Sequence, residues 1–169
     1  HASGLGAEVN FISVCGKDHF YEFASQQLIN SGVKTNIIID ESRPTTLKQR
    51  FRSSNKSLLR VNHLHQNGVS PFIQKKLIKA VEQIINKYDL LIFSDYNYGC
   101  LPQELVDKIM KIAKKTKILV ASDSQSSSQI GNISRFKDMD LLTPTEREAR
   151  ISMRNREDGL VFLAESLRK

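Results

Sequence analysis

The chain has 169 residues, 40% hydrophobic and 25% charged, with a formal net charge of +7. That is enough chain for one domain with a real core, an ordinary globular composition, and no apolar run long enough to span a bilayer. Two cysteines, Cys15 and Cys100, match no metal spacing, so reduced thiols in a cytoplasmic protein are expected. The start carries no signal-peptide pattern. It opens on His1 and the first methionine is Met110, so the natural start is expected to lie outside these residues. The positive charge favours anionic partners such as phosphates, nucleotides or nucleic acid. Scattered lysines such as Lys75, Lys79 and Lys111 fall on helix-like segments and read as solvated faces.

Residues 8–16, EVNFISVCG, read as a buried strand ending in Gly16. Residues 18–32 carry helical spacing and stop at Gly32, a helix C-terminal signal. KTNIIIDES and TTLKQRFRS read as two strands joined near Arg43-Pro44, and residues 57–64 as a third, reached through the turn-like 53–56. This predicts a strand meander over 35–65, inserted in a helix–strand pattern.

Ser70-Pro71 opens the next helix, with Ile73, Leu77, Val81, Ile84 and Tyr88 on one face. DLLIFSDY, 89–96, reads as a fully buried strand. Pro102 opens a helix with Leu105, Ile109 and Ile112 inward, and residues 117–122 and 140–144 read as strands. Residues 145–153 and 157–169 look helical, the latter through Leu160, Leu163, Ala164 and Leu167. Strands alternating with helices predict parallel pairing and an α/β fold.

Two constellations carry chemistry. If 45–53 is extended, Thr46, Lys48, Arg50 and Arg52 share one face, and Leu47, Gln49 and Phe51 the other. Cations lined up in this way either hold an anion or protect an exposed strand from pairing. Ligands of open parallel sheets bind beyond the strands' carboxyl ends. Three strands end in polar groups there: Ser94-Asp95-Tyr96, Ser122-Asp123-Ser124, and Thr143-Pro144-Thr145 followed by Glu146 and Glu148. Taken singly, each aspartate could equally cap the following turn. The polar loop 122–129 follows directly on one of these strands. His63 and His65 flank Leu64 on one predicted strand face, but lack the cysteine or carboxylate partner a metal site needs, so no metal is expected there. With no Trp and no basic stripe interleaved with aromatics, nucleic acid is the weakest of the possible partners.

The order of these motifs resembles the PfkB/ribokinase family of sugar kinases. Gly6 and Gly16 fit the end of that family's N-terminal signature, GKDHF its Gly-x-Asp helix start, and LLTPTEREA its Thr-Pro-Asn-x-x-Glu stretch. TTLKQRFRSSNKSLLRVN and SDYNYGCL look most like the heptose-7-phosphate kinases that lead to ADP-heptose. The resemblance implies a ribokinase-like three-layer parallel sheet with a small inserted β lid. It implies a sugar-phosphate substrate contacted by Thr46, Lys48 and Arg50, with Arg52 and Arg60 as lesser candidates. It implies ATP and Mg2+ as cofactors, on the side of Asp123, Thr145 and Glu148. A homodimer paired through the lid, by Leu47, Phe51, Leu58 and Val61, is also expected.

The chain departs from the pattern in places. Thr145 replaces the family's Asn, although Glu148, which supports the magnesium water shell there, keeps its place. The lysines of Asp-Tyr-x-Lys-Gly and Asp-Pro-Lys become Tyr98 and Gln125. Neither the family's N-terminal Gly-Gly nor its Gly-Ala-Gly-Asp stretch, which carries the catalytic base, occurs in these residues. The expectation is therefore a partial domain in which no catalytic residue is assigned, inactive alone. The alternative is a sugar-phosphate-binding module or regulatory subunit.

Overall fold

The structure is a computed structural model that describes residues 1–126 and 130–168. Their contacts divide them into two units, residues 1–81 and 82–169, with the division falling inside a helix. The end of the polar loop, residues 127–129, lies outside the described residues.

In the first unit, β1 (Asn10–Cys15) leads through Asp18 into α1 (His19–Asn30). Asp18 is the N-cap: its carboxylate accepts from the Tyr21 amide at 3.0 Å, satisfying a donor the helix leaves open. The helix ends at Ser31, and Gly32 takes the left-handed conformation, φ +72°, which the sequence signal anticipates. The chain returns as β2 (Lys34–Ile39), parallel to β1 from Asn10 opposite Lys34 to Cys15 opposite Ile39. The predicted meander is thereby corrected. KTNIII pairs with the first strand, and only β3 (Leu47–Ser53) and β4 (Lys56–His63) form an antiparallel hairpin. The β-branched run of β2 suits a parallel pair, a preference that local pattern alone does not distinguish from a hairpin strand.

The hairpin has a built foundation. Gly16 passes so close to the 43–45 backbone that a Cβ there would lie 2.4 Å from the Arg43 carbonyl, so no other residue fits that path. The Gly16 amide donates to the Thr45 hydroxyl at 3.1 Å, and the Thr45 amide to the Asp18 carboxylate at 2.9 Å. Asp40, buried, accepts from the Ser42 amide and hydroxyl and from Arg43 Nε at 3.0 Å, and Arg43 also donates to the Asn67 carbonyl. At the far end Ser54 and Asn55 both have positive φ, a two-residue turn whose twist matches an antiparallel pair.

The helix α2 (Pro71–Ile84) buries Ile73, Leu77 and Val81 as its spacing predicts, with Gln74 and Ala80; Ile84 is half-buried and Tyr88 lies beyond the helix end.

The second unit carries a three-stranded parallel sheet, β5 (Leu90–Asp95), β6 (Leu119–Ser124) and β7 (Leu141–Leu142), in that order. Leu90 opposes Leu119, Asp95 opposes Ser124, and Ala121 opposes Leu141, so all three strands end at one edge. The expectation of a fully buried β5 is corrected: Phe93 and Asp95 are buried, whereas Leu90, Ile92, Leu119 and Leu141 are exposed. An uninterrupted apolar run conceals that alternation, because both faces carry the same residue type.

Between β5 and β6, α3 (Gln103–Thr116) buries Leu105, Val106, Ile109, Met110 and Ala113, a face rotated from the predicted one; Ile112 is half-buried. Full burial of each larger apolar side chain contributes roughly 1.5–3 kcal/mol. The last elements are α4 (Glu146–Met153) and α5 (Leu160–Arg168). Of the four residues expected inward on α5, only Leu163 is buried, and Leu160 is 57% exposed.

Candidate functional site

The strand-end cluster of the second unit is built from the β6 terminus and the start of α4. Thr145 is the helix N-cap, and its hydroxyl accepts from the Glu148 amide at 3.3 Å. Glu148 reaches back: Oε2 accepts from the Thr145 amide at 2.9 Å and from its hydroxyl at 2.8 Å, closing a capping box. Oε1 accepts from the Ser126 amide at 2.7 Å. Burial pushes the Glu148 carboxyl up, but the bonds from Thr145 and Ser126 overcome it and leave the pKa below the usual value.

Asp123, half-buried, accepts from the Thr143 hydroxyl at 3.3 Å and from the Gln125 side-chain Nε2 at 3.4 Å. Asp123, Thr145 and Glu148, expected on the cofactor side, thus line one cavity of 280 Å³ with Gln125, Ser126 and Thr143. A broader depression of 1310 Å³ along α4 and residues 153–158 shares Thr145 with it. Among the described residues no group of three His, Cys, Asp or Glu could hold a metal ion directly. The cluster fits a cation that keeps most of its own water and meets one or two carboxylates beside substrate phosphates, as Mg2+ does.

Beside this cavity a second polar knot closes the β5 end. Asp95 is 4% exposed and accepts from the Asn97 amide at 2.9 Å and from Arg135 at 2.7 Å. Asp95 thus caps the turn that follows it, the alternative left open in the sequence, and adds an ion pair with Arg135. Arg135 also donates to the Leu101 carbonyl, and its guanidinium lies 4.2 Å from the Phe136 ring centroid. Asn97, at φ +60°, donates to the Gln125 carbonyl at 2.9 Å. A Cβ on Gly131 would meet the Asn97 side-chain Nδ2 at 2.6 Å. Arg135 was not anticipated from sequence: it sits in a 3-10 turn, Ile133–Arg135, too short for a periodic signal and 40 positions from its partner.

The cationic stripe belongs to the hairpin of the first unit. Lys48 lies opposite Asn62 and Arg50 directly opposite Arg60, while Leu47, Gln49 and Phe51 oppose His63, Val61 and Leu59. Thr46 precedes the strand and is exposed. Between Phe51 and Arg52 the register slips, so that Leu58 faces no residue of β3 and Leu59 replaces it opposite Phe51. Past the slip, the Arg52 guanidinium donates to the Asn55 carbonyl at 3.1 Å. Arg60, a lesser candidate in the sequence, stands across from Arg50. His63 closes β4, so His65 lies outside the strand and the two do not share a strand face. Cys15 is half-buried; burial pushes its thiol pKa up, and a hydrogen bond with Thr45 opposes this.

Residues 1–165 match the pfkB family carbohydrate kinase model. The chain is 29% identical over 145 residues to the bifunctional protein HldE of a Nitratiruptor species, covering 86% of this chain and 29% of that protein. It is 30% identical over 170 residues to the HldE of Rhodopseudomonas palustris, covering 99% and 34%. The chain thus spans about a third of the length of these curated relatives. A carbohydrate kinase from Agrobacterium tumefaciens superposes with a TM-score of 0.73 at 20% identity, over 98% of this chain and 52% of that one. Phosphofructokinase-2 from Escherichia coli in complex with fructose-6-phosphate gives 0.71 at 14%, over 98% and 55%. The fold is ribokinase-like.

Proposed function

The chain belongs to the pfkB family of carbohydrate kinases, and from that premise we propose that it serves the ATP-dependent phosphorylation of a sugar that already bears a phosphate, of the heptose 7-phosphate kind. The observation that carries this reading is the hairpin's cationic face, where Lys48 and Arg50 stand at alternate positions of one strand. A phosphate already on the sugar is the ligand such a face suits, because fixed cations and hydroxyls recognise it by charge and fork geometry. Thr46 adds a hydroxyl to the same side. The heptose comes from the likeness of 45–62 and 94–101 to that branch of the family.

ATP supplies the phosphoryl group when bound. Asp123, Thr145 and Glu148 would hold its magnesium through water, and the capping box fixes Glu148 in one orientation for that task. We assign no general base to these residues. The protein is proposed to work in the cytoplasm, as a dimer paired through the apolar side of the hairpin.

A second reading is a sugar-phosphate-binding module without turnover. Tyr98 and Gln125 stand where the family places lysines near the phosphoryl path, and phosphoryl transfer depends on such charge. One experiment separates the two. ADP release with magnesium–ATP and a heptose 7-phosphate is measured beside Lys48→Ala, with sugar-phosphate binding followed by calorimetry. The kinase reading expects release that falls about tenfold or more in the variant. Binding without release supports the module, and neither overturns both.

A further inference from the structure

We infer that Arg60 and Arg50 together form a clamp for a phosphate dianion, a proposal that rests on the sugar-phosphate reading above. The two residues are directly opposite in the hairpin, exposed, and neither guanidinium has a hydrogen bond or ion pair among the described residues. Directly opposite side chains on an antiparallel pair start about 4.5–5.5 Å apart at Cβ, and like charges in that arrangement repel. An anion between them turns the repulsion into attraction. Two planar forks can each give a pair of parallel N–H donors to phosphate oxygens.

The register slip is the second, independent observation. Ser53 opposes Lys56 across the turn, and Arg52 opposes Ser57. Continued without the slip, that register would set Arg50 against Leu59 and Phe51 against Leu58. The extra residue, Leu58, moves the ladder by one and brings Arg60 across from Arg50. A bulge disrupts the ladder locally, and its use is to re-aim side chains. Edge protection needs only charges along a strand. It gains nothing from setting two of them face to face, so it does not explain this register. A dianion matches the two guanidiniums in charge, whereas a carboxylate monoanion leaves one uncompensated.

The test uses the full chain and inorganic phosphate at constant ionic strength, with chloride as the control anion. Affinity is read by calorimetry and hairpin order by hydrogen exchange at the amides of residues 50, 51, 59 and 60. Phosphate is expected to slow exchange there and chloride not. Arg60→Ala is expected to weaken phosphate binding about tenfold. Arg60→Lys keeps the charge and loses the fork, so it should bind measurably less well than wild type in an intact hairpin. Arg52→Ala removes a guanidinium already committed to Asn55 and should bind phosphate as wild type does. Wild-type affinity in Arg60→Ala overturns the clamp, as does equal loss in all three variants. Equal protection by chloride means an adventitious ion only and overturns it too. Phosphate binding without turnover would remove the kinase reading and leave the clamp. Turnover with an unchanged KM for the sugar phosphate in Arg60→Ala would do the reverse.

Discussion

Asp40 shows how much of the hairpin's foundation rests on one buried carboxylate. The Ser42 hydroxyl, ahead of its amide and the Arg43 guanidinium, holds the Asp40 carboxyl below the usual aspartate range, although burial opposes this. A depressed pKa in the folded state means that the folded chain binds fewer protons than the unfolded one just above that pKa. The stabilisation is therefore fully present above the ordinary aspartate value of about 3.9 and is lost as the pH falls through the lower folded value. Asp40→Asn should cost about 2 kcal/mol at neutral pH. Urea titrations across pH should show the gap between wild type and variant closing on the acid side. A gap that stays constant with pH would mean that the charge on Asp40 contributes nothing.

Among the elements, α4 is the one whose start the proposed cofactor side depends on. Thr145 caps it and orients Glu148, so a substitution there acts on both helix and cavity. Thr145→Ala should lower stability by about 1 kcal/mol and Thr145→Ser by much less, measured by urea unfolding. The start of α1 at Asp18 was legible in sequence because such a cap is local; the box of Thr145 and Glu148 ahead of α4 is equally local and was not anticipated. The hairpin turn was legible for the same reason. The slip at Leu58 was not, since a bulge follows from how two strands settle against each other and leaves no mark in the alternation of either. Arg60 was undervalued on that account. The partner of β2 was equally hidden, because IIID fits a parallel or an antiparallel neighbour alike.

For the molecule as a whole, the family's order of motifs was legible end to end, and the fold with it. What could not be read was which apolar faces are covered. Leu90 and Phe93 belong to one uniform run, yet Leu90 is 47% exposed and Phe93 3%. Similar surface lies on the hairpin, where Phe51 is 50% and Leu59 55% exposed across from each other. Phe51, Leu59 and Val61 share one face of the hairpin, with Leu58 at the slip, and the proposed pairing would use that face. If two copies pair there, sedimentation at micromolar concentration should give a dimer mass and Phe51→Glu a monomer. A wild-type monomer would remove the pairing.

The contrast between the two ends of the hairpin has a consequence for descent. At its foot, Gly16 admits one backbone path, and Asp18, Asp40 and Arg43 tie down the strands' origin. From residue 51 to 60 every side chain is exposed. The foot and the tip are therefore under unequal steric selection. A lineage could rewrite the tip, shift its bulge or exchange its charges while inheriting the same socket. Under the proposed sugar-phosphate reading, substrate preference can drift as a cassette, without renegotiating the core.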